Sequence, residues 1–205
     1  MMEKCAINIF HLVPKNEKGS ENDVCAVKNC QSLEIAEKTF EKLAQKLLEV
    51  NDWDVTAGKN LAKFYLVSGE TRKSSLVAKE NDFVKIKMPA PKNKLGQGYD
   101  WVIINKIRRS ADSEIKYLLV QMKPHSCPEN ASGSVAHFYA GKATNSFIMA
   151  QYGTKIQFSI HGRNEIPNTE NMSLINKLRN MFVAIGGIFG GSKLQWKVFA
   201  ESFIK

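Results

Sequence analysis

The strongest pattern along the chain lies between Ser32 and Val50. Leu33, Ala36, Phe40, Leu43, Ala44, Leu47 and Leu48 recur at three- and four-residue steps, which lays one apolar stripe along a helix. Ser32 is placed to cap it, because its hydroxyl can accept from a backbone N–H that has no partner inside the helix. Glu34 suits the positive end of the helix dipole and stands one turn from Lys38. Asn51 and Asp52 end the helix.

The period then changes to two. Leu61–Val67 predicts a strand. In Phe83–Met88, Val84, Ile86 and Met88 alternate with Lys85 and Lys87, as one side of a half-buried strand should. Residues 89–98 carry two prolines and two glycines and break the ladder. Asp100–Arg108 and Ile115–Lys123 read as strands across a hairpin-like turn at 109–114. Residues 124–134 are irregular. Thr144–Gln151 and Lys155–His161 flank the short turn Tyr152-Gly153-Thr154. Ahead of the helix, residues 6–13 predict a short strand, and the polar run Pro14–Asp23 predicts a mobile linker. Beyond the strands, Ser173 caps a helix carrying Leu174, Leu178, Met181, Phe182 and Ile185. Glycine pairs at 186–187 and 190–191 interrupt it. Ser192 caps a last helix through Leu194, Val198, Phe199 and Phe203, with a strand over 194–199 as the competing reading.

These elements predict an α+β fold. A curved antiparallel β-meander packs against one N-terminal helix and one or two C-terminal helices. Residues 1–31 form an N-terminal strand and flexible linker, and 32–205 a single domain.

Two strands depart from simple alternation. Trp101-Val102-Ile103-Ile104 and Tyr117-Leu118-Leu119-Val120 are apolar on both faces. An antiparallel sheet usually keeps one wet face, so something must cover the second face here. A closed core without a cavity, a second layer of the sheet, a ligand cavity or a partner subunit would each do so. A homodimer is therefore one of the expectations. The order helix, meander, C-terminal helix resembles the helix-grip arrangement of START-like proteins over residues 32–205. That resemblance implies a sheet wrapped round a helix and an apolar ligand held between them. The chain departs from it in the glycine-cut C-terminal helix and in the lack of an evident early helix pair. No functional residue carries over.

Composition narrows the class. In 205 residues, 43% are hydrophobic and 24% charged, which argues for a folded domain. The longest uncharged apolar stretch, Met181–Gly191, falls far short of the roughly 20 residues a membrane span needs. The N-terminus lacks the long apolar core of a secretory signal. The expectation is a cytoplasmic protein with reduced thiols at Cys5, Cys25, Cys30 and Cys127. The net charge is +9. Residues 61–125 carry 13 basic against 6 acidic side chains, so the positive field centres there and favours anionic partners.

Candidate chemistry is sparse. Cys25-x4-Cys30 is half of a metal-site spacing without a second half, and His125, Cys127 and His137 offer weak ligands in one irregular stretch. No metal or cofactor is expected. The densest polar cluster is His161-Gly162-Arg163-Asn164-Glu165, at the end of a predicted strand. There Arg163 can hold an oxyanion, and His161 with Glu165 can move protons. Alternatively Gly162 and Asn164 build a turn and Arg163 pairs with Glu165. There is no nucleophile elbow, phosphate loop or zinc-protease helix.

The leading reading is a binding module with an apolar pocket, lined by Trp101, Ile103, Tyr117, Leu119, His161, Arg163 and Glu165. The second is a binder of nucleic acid or acidic protein through Lys85, Lys87, Lys106, Arg108 and Lys116. The third is a small enzyme using the His161–Glu165 cluster.

Overall fold

The computed structural model describes residues 5–54, 62–87, 93–110, 114–129, 133–168 and 191–205, the stretch 191–195 as backbone only. Seven strands form one antiparallel sheet. In chain order they are β1 Ser20–Asn29, β2 Lys63–Val67, β3 Phe83–Lys87, β4 Asp100–Ser110, β5 Ile115–Pro124, β6 Thr144–Tyr152 and β7 Lys155–Glu165. Their order in the sheet is β1-β7-β6-β5-β4-β3-β2, so the first strand closes beside the last. Helix α1, Leu33–Leu48, lies between β1 and β2, and helix α2, Gly191–Phe203, ends the chain. The fold is α+β. The helix expected over 173–185 lies outside the described residues. Residues 194–199 are helical, not a strand, and Ser192 lies inside α2 instead of capping it. Among the described residues, no helix is long and apolar enough to cross a membrane.

Helix α1 follows its periodicity. Ser32 Oγ accepts from the Ile35 N–H at 3.2 Å, and Ala36, Phe40, Leu43, Ala44 and Leu47 are buried. Its polar side docks on the β4–β5 hairpin, where Glu37 pairs with Lys116 at 2.8 Å and Glu41 pairs with Arg109. A short 3-10 turn, Val50–Asp52, then delivers Trp53 to the interior. Asn51 seals the outermost strand, accepting from Leu66 N–H and donating to Ser75 C=O.

The face of the sheet toward the helices holds the main core. Val24, Val102, Ile104, Leu118, Val120, Phe147, Phe158 and Ile160 meet α1, Trp53, Phe199 and Phe203 there. Aromatic rings fill the middle. Trp53 lies 4.9 Å from Phe147 and 5.7 Å from Phe199, centre to centre.

The opposite, outer face is covered by the chain itself in two places. Residues 7–13 lie over β5 and β6, where Ile7 and Ile9 bury against Leu119, Ile148 and Ala150. Leu95 and Tyr99, with Cys127 and Ala136, cover Val67, Phe83 and Trp101. The doubly apolar strands are thus explained by intramolecular covers, and a partner subunit is not required for them.

Three sequence expectations are corrected. Residues 6–13 are no strand. They cross the outer face as a strap with a 3-10 turn at Phe10–Leu12, and the Gln157 side chain satisfies both backbone groups of Ile7. Polar residues 20–23 belong to β1, because pairing with β7 supplies their backbone bonds, and Asn164 ties down residues 15–18 ahead of them. Cys5 and Cys25 form a disulfide with Cα atoms 5.5 Å apart, so they are not free thiols and Cys25 cannot pair with Cys30 at a metal.

Candidate functional site

The polar cluster expected in a loop sits on the last turn of β7, next to the β1 strand that sequence missed. Residues alternate across these strands, so neighbours in sequence part to opposite faces.

On the helix face, Gly162 lies in register with Asn22 on β1 and Asn145 on β6. Asn164, in the left-handed region at φ 55°, bends the strand and brings Glu165 back over Gly162. A Cβ at 162 would collide with Glu165 Oε1 and meet Asn145 Oδ1 at 3.3 Å. Glu165 Oε2 accepts from Tyr139 Oη at 3.3 Å and from Ser20 Oγ at 3.5 Å. Burial raises the Glu165 pKa, against the lowering effect of the Tyr139 and Ser20 hydrogen bonds and of Arg163. Burial and the adjacent carboxylate push the Tyr139 hydroxyl upward as well. Two acceptors here, Asn22 Oδ1 and Asn145 Oδ1, are buried with no partner among the described residues. The indole N–H of Trp53, whose ring packs at a tilt against Phe147 two residues along β6, is also buried without one among the described residues.

On the outer face a polar belt crosses five strands between the two covers. Asn105 donates to Gln121 at 2.8 Å, and Gln121 donates to Ser146 Oγ at 3.0 Å. Ser146 stands in register with His161, and His161 with Asp23. The His161 Nδ1–Asp23 Oδ1 distance is 2.6 Å, and Arg163 reaches the same oxygen at 2.8 Å. Burial works against the Asp23 carboxylate, but His161 and Arg163 together hold its pKa below the usual value. Phe10 of the strap lies edge-on to the His161 ring at 5.3 Å. His161 is fully buried, and its Nε2 has no partner among the described residues.

The seven residues assigned to a pocket are therefore dispersed. Trp101 and Ile103 lie under one outer cover, with Trp101 donating to Gly96 C=O at 3.1 Å. Tyr117 and Leu119 lie under the other. His161 and Arg163 converge on Asp23, while Glu165 turns to the helix face and bonds Tyr139. The enzyme reading uses His161, Arg163 and Glu165 together; here His161 and Arg163 share Asp23, and Glu165 bonds Tyr139. Arg163 bonds Asp23 and approaches Glu21 at 3.8 Å, and no Arg163–Glu165 ion pair forms.

The basic residues also divide. Lys85, Lys87, Lys106 and Arg108 lie on the outer face, whereas Lys116 faces α1 and is paired with Glu37. His125 packs on Phe83, and His137 stacks on Phe138 with its Nδ1 accepting from Tyr139 N–H. No group of three metal-binding side chains gathers among the described residues.

Sequence reasoning missed Asn22, Asp23, Tyr139 and Asn145. Each is an ordinary polar residue in its own segment and becomes part of a site only through strand register.

No family model matches the chain, and no curated protein does. Among solved structures, a hypothetical protein of Helicobacter pylori aligns over 90% of this chain and 88% of its own, at 9% identity and a TM-score of 0.48. Ara h 8.0201 aligns over 87% of this chain and 98% of its own, at 10% identity and a TM-score of 0.35. A Staphylococcus epidermidis protein aligns over 93% of each chain, at 11% identity and a TM-score of 0.35.

Proposed function

We propose that the chain is a small-molecule-binding module. Its ligand lies between the helix face of the sheet and the helices, with a polar head at Asn22, Asn145 and Glu165. One observation carries this reading: Asn22 Oδ1 and Asn145 Oδ1 are buried with no partner among the described residues, at the end of a largely apolar wall. Buried polar atoms are almost always paired, and leaving one unpaired costs about 1–3 kcal/mol. A ligand head group that donates hydrogen bonds removes that cost, while the apolar body of the ligand meets the core side chains.

The chemistry of the head follows from the groups around it. Two amide oxygens and a carboxylate all accept, so the head is an amine or an alcohol, not a carboxylate. Native mass spectrometry of the purified chain should show a bound small molecule that denaturation releases. Dodecylamine or dodecanol should change the fluorescence of Trp53, and dodecanoate should not. Asn145→Leu should abolish the response while circular dichroism stays unchanged. A bare chain mass together with no response to any of the three probes would sink the reading.

A further inference from the structure

We propose that the outer face of β2–β5 binds single-stranded nucleic acid. This surface lies on the opposite side of the sheet from the small-molecule site and stands without it.

On β2 and β3, Lys63 is directly opposite Lys87, and Tyr65 opposite Lys85. Like charges facing each other across a strand pair destabilise it, and a bound anion reverses that effect. Lys85 Nζ lies 5.7 Å from the ring centre of Tyr65 and 5.2 Å from that of Tyr99. The two rings meet edge to face at 6.1 Å and are both half-exposed. The same face continues with Lys123 opposite Ile103, Lys106 opposite Gln121 and Arg108 opposite Leu119. Lys106 and Arg108 lie between the two outer covers, and Lys63, Lys85 and Lys87 lie on β2 and β3 at the far edge of the second.

Charge is sorted between the faces. The acids of α1 neutralise the helix-face cations, Glu37 on Lys116 and Glu41 on Arg109. Among the described residues, none of Lys63, Lys85, Lys87, Lys106, Arg108 or Lys123 has a carboxylate in ion-pair range. Glu80, held by the Ile107 N–H, enters the strip from its side.

A single strand fits better than a duplex. Base faces can stack on Tyr65 and Tyr99 only when unpaired, and stacking on aromatic side chains tolerates any sequence. From the level of Trp101 to Arg108, β4 spans roughly 23 Å at its usual rise, enough for about three or four phosphates.

Fluorescence anisotropy of labelled oligo-dT and oligo-U tests this with the intact chain. Binding should weaken with salt, with a log–log slope of about −2 to −3 for three or four phosphates. Lys63→Gln with Lys87→Gln should lower affinity roughly tenfold and flatten the slope by about one unit. Tyr65→Leu should weaken binding without changing the slope, because stacking releases no counterions. All of the lysines changed are exposed, so folding should be unaffected. A salt-independent signal, or unchanged affinity in the double lysine variant, overturns the proposal. Equal binding of poly-glutamate, lost in the same variant, also overturns it and assigns the face to an acidic protein.

Discussion

At the scale of single residues, Gly162 carries the clearest constraint. Its hydrogen leaves room for the Glu165 carboxylate, which is itself held by Tyr139 and Ser20. Gly162→Ala therefore sets a methyl against a side chain that is buried and bonded, and such overpacking costs about 1–3 kcal/mol. The cause lies in the carboxylate and not in backbone strain, since Gly162 does not occupy the left-handed region. Urea denaturation of Gly162→Ala in the wild-type background and in Glu165→Ala separates the two causes. The alanine should be costly in the first and nearly neutral in the second. Equal cost in both would place the constraint in the backbone.

At the scale of elements, the strap is held at its beginning by the Cys5–Cys25 disulfide, a closure over a separation of 20 residues. Along its length Ile7 and Ile9 bury against Leu119, Ile148 and Ala150. Cys5→Ser should free the segment. A bridge closing a loop of this size contributes about 3 kcal/mol through the unfolded chain. Hydrogen exchange should then rise most in residues 5–13, by more than the general rise that the lost global stability gives α1, which packs on the other face. Unchanged exchange in the strap would mean that Ile7, Ile9 and the Gln157 bonds hold it alone. This element also marks where sequence reading stops. The helical stripe of α1 and the extended apolar runs of β2–β7 depend on local pattern, and both were legible. Residues 6–13 alternate like a strand, yet nothing in that pattern says whether the segment joins a sheet edge or crosses a sheet face. β1 was half hidden because Glu21, Asn22 and Asp23 look like linker. Their polarity serves Arg163 and His161, which are distant in sequence. The candidate site was legible only at His161–Glu165, and its division between two faces depends on the bulge at Asn164.

At the scale of the whole molecule, burial under the outer cover perturbs titratable groups, so stability responds to pH through them. Burial raises the Asp100 pKa from 3.8 to about 6, despite the opposing hydrogen bond from Asn93 at 2.6 Å. Burial lowers the His137 pKa from 6.5 to about 3. The two act in opposite directions. A carboxyl whose folded pKa is raised binds its proton more tightly in the native state. Asp100 thus favours folding most below pH 3.8, and that benefit is lost as pH rises to about 6. The native state binds the His137 proton less tightly, so His137 costs stability as pH falls from 6.5 toward 3. Asp100→Asn removes the first effect and leaves the second. Relative to wild type, the variant should gain little near pH 4. The gain should grow by about 1.4 kcal/mol per pH unit to about 3 kcal/mol above pH 6, and then stay level. Urea midpoints of both proteins from pH 4 to 8 measure that difference directly. A difference constant across the range would mean that Asp100 is ionised at its normal pKa in the folded protein, and so reached by water.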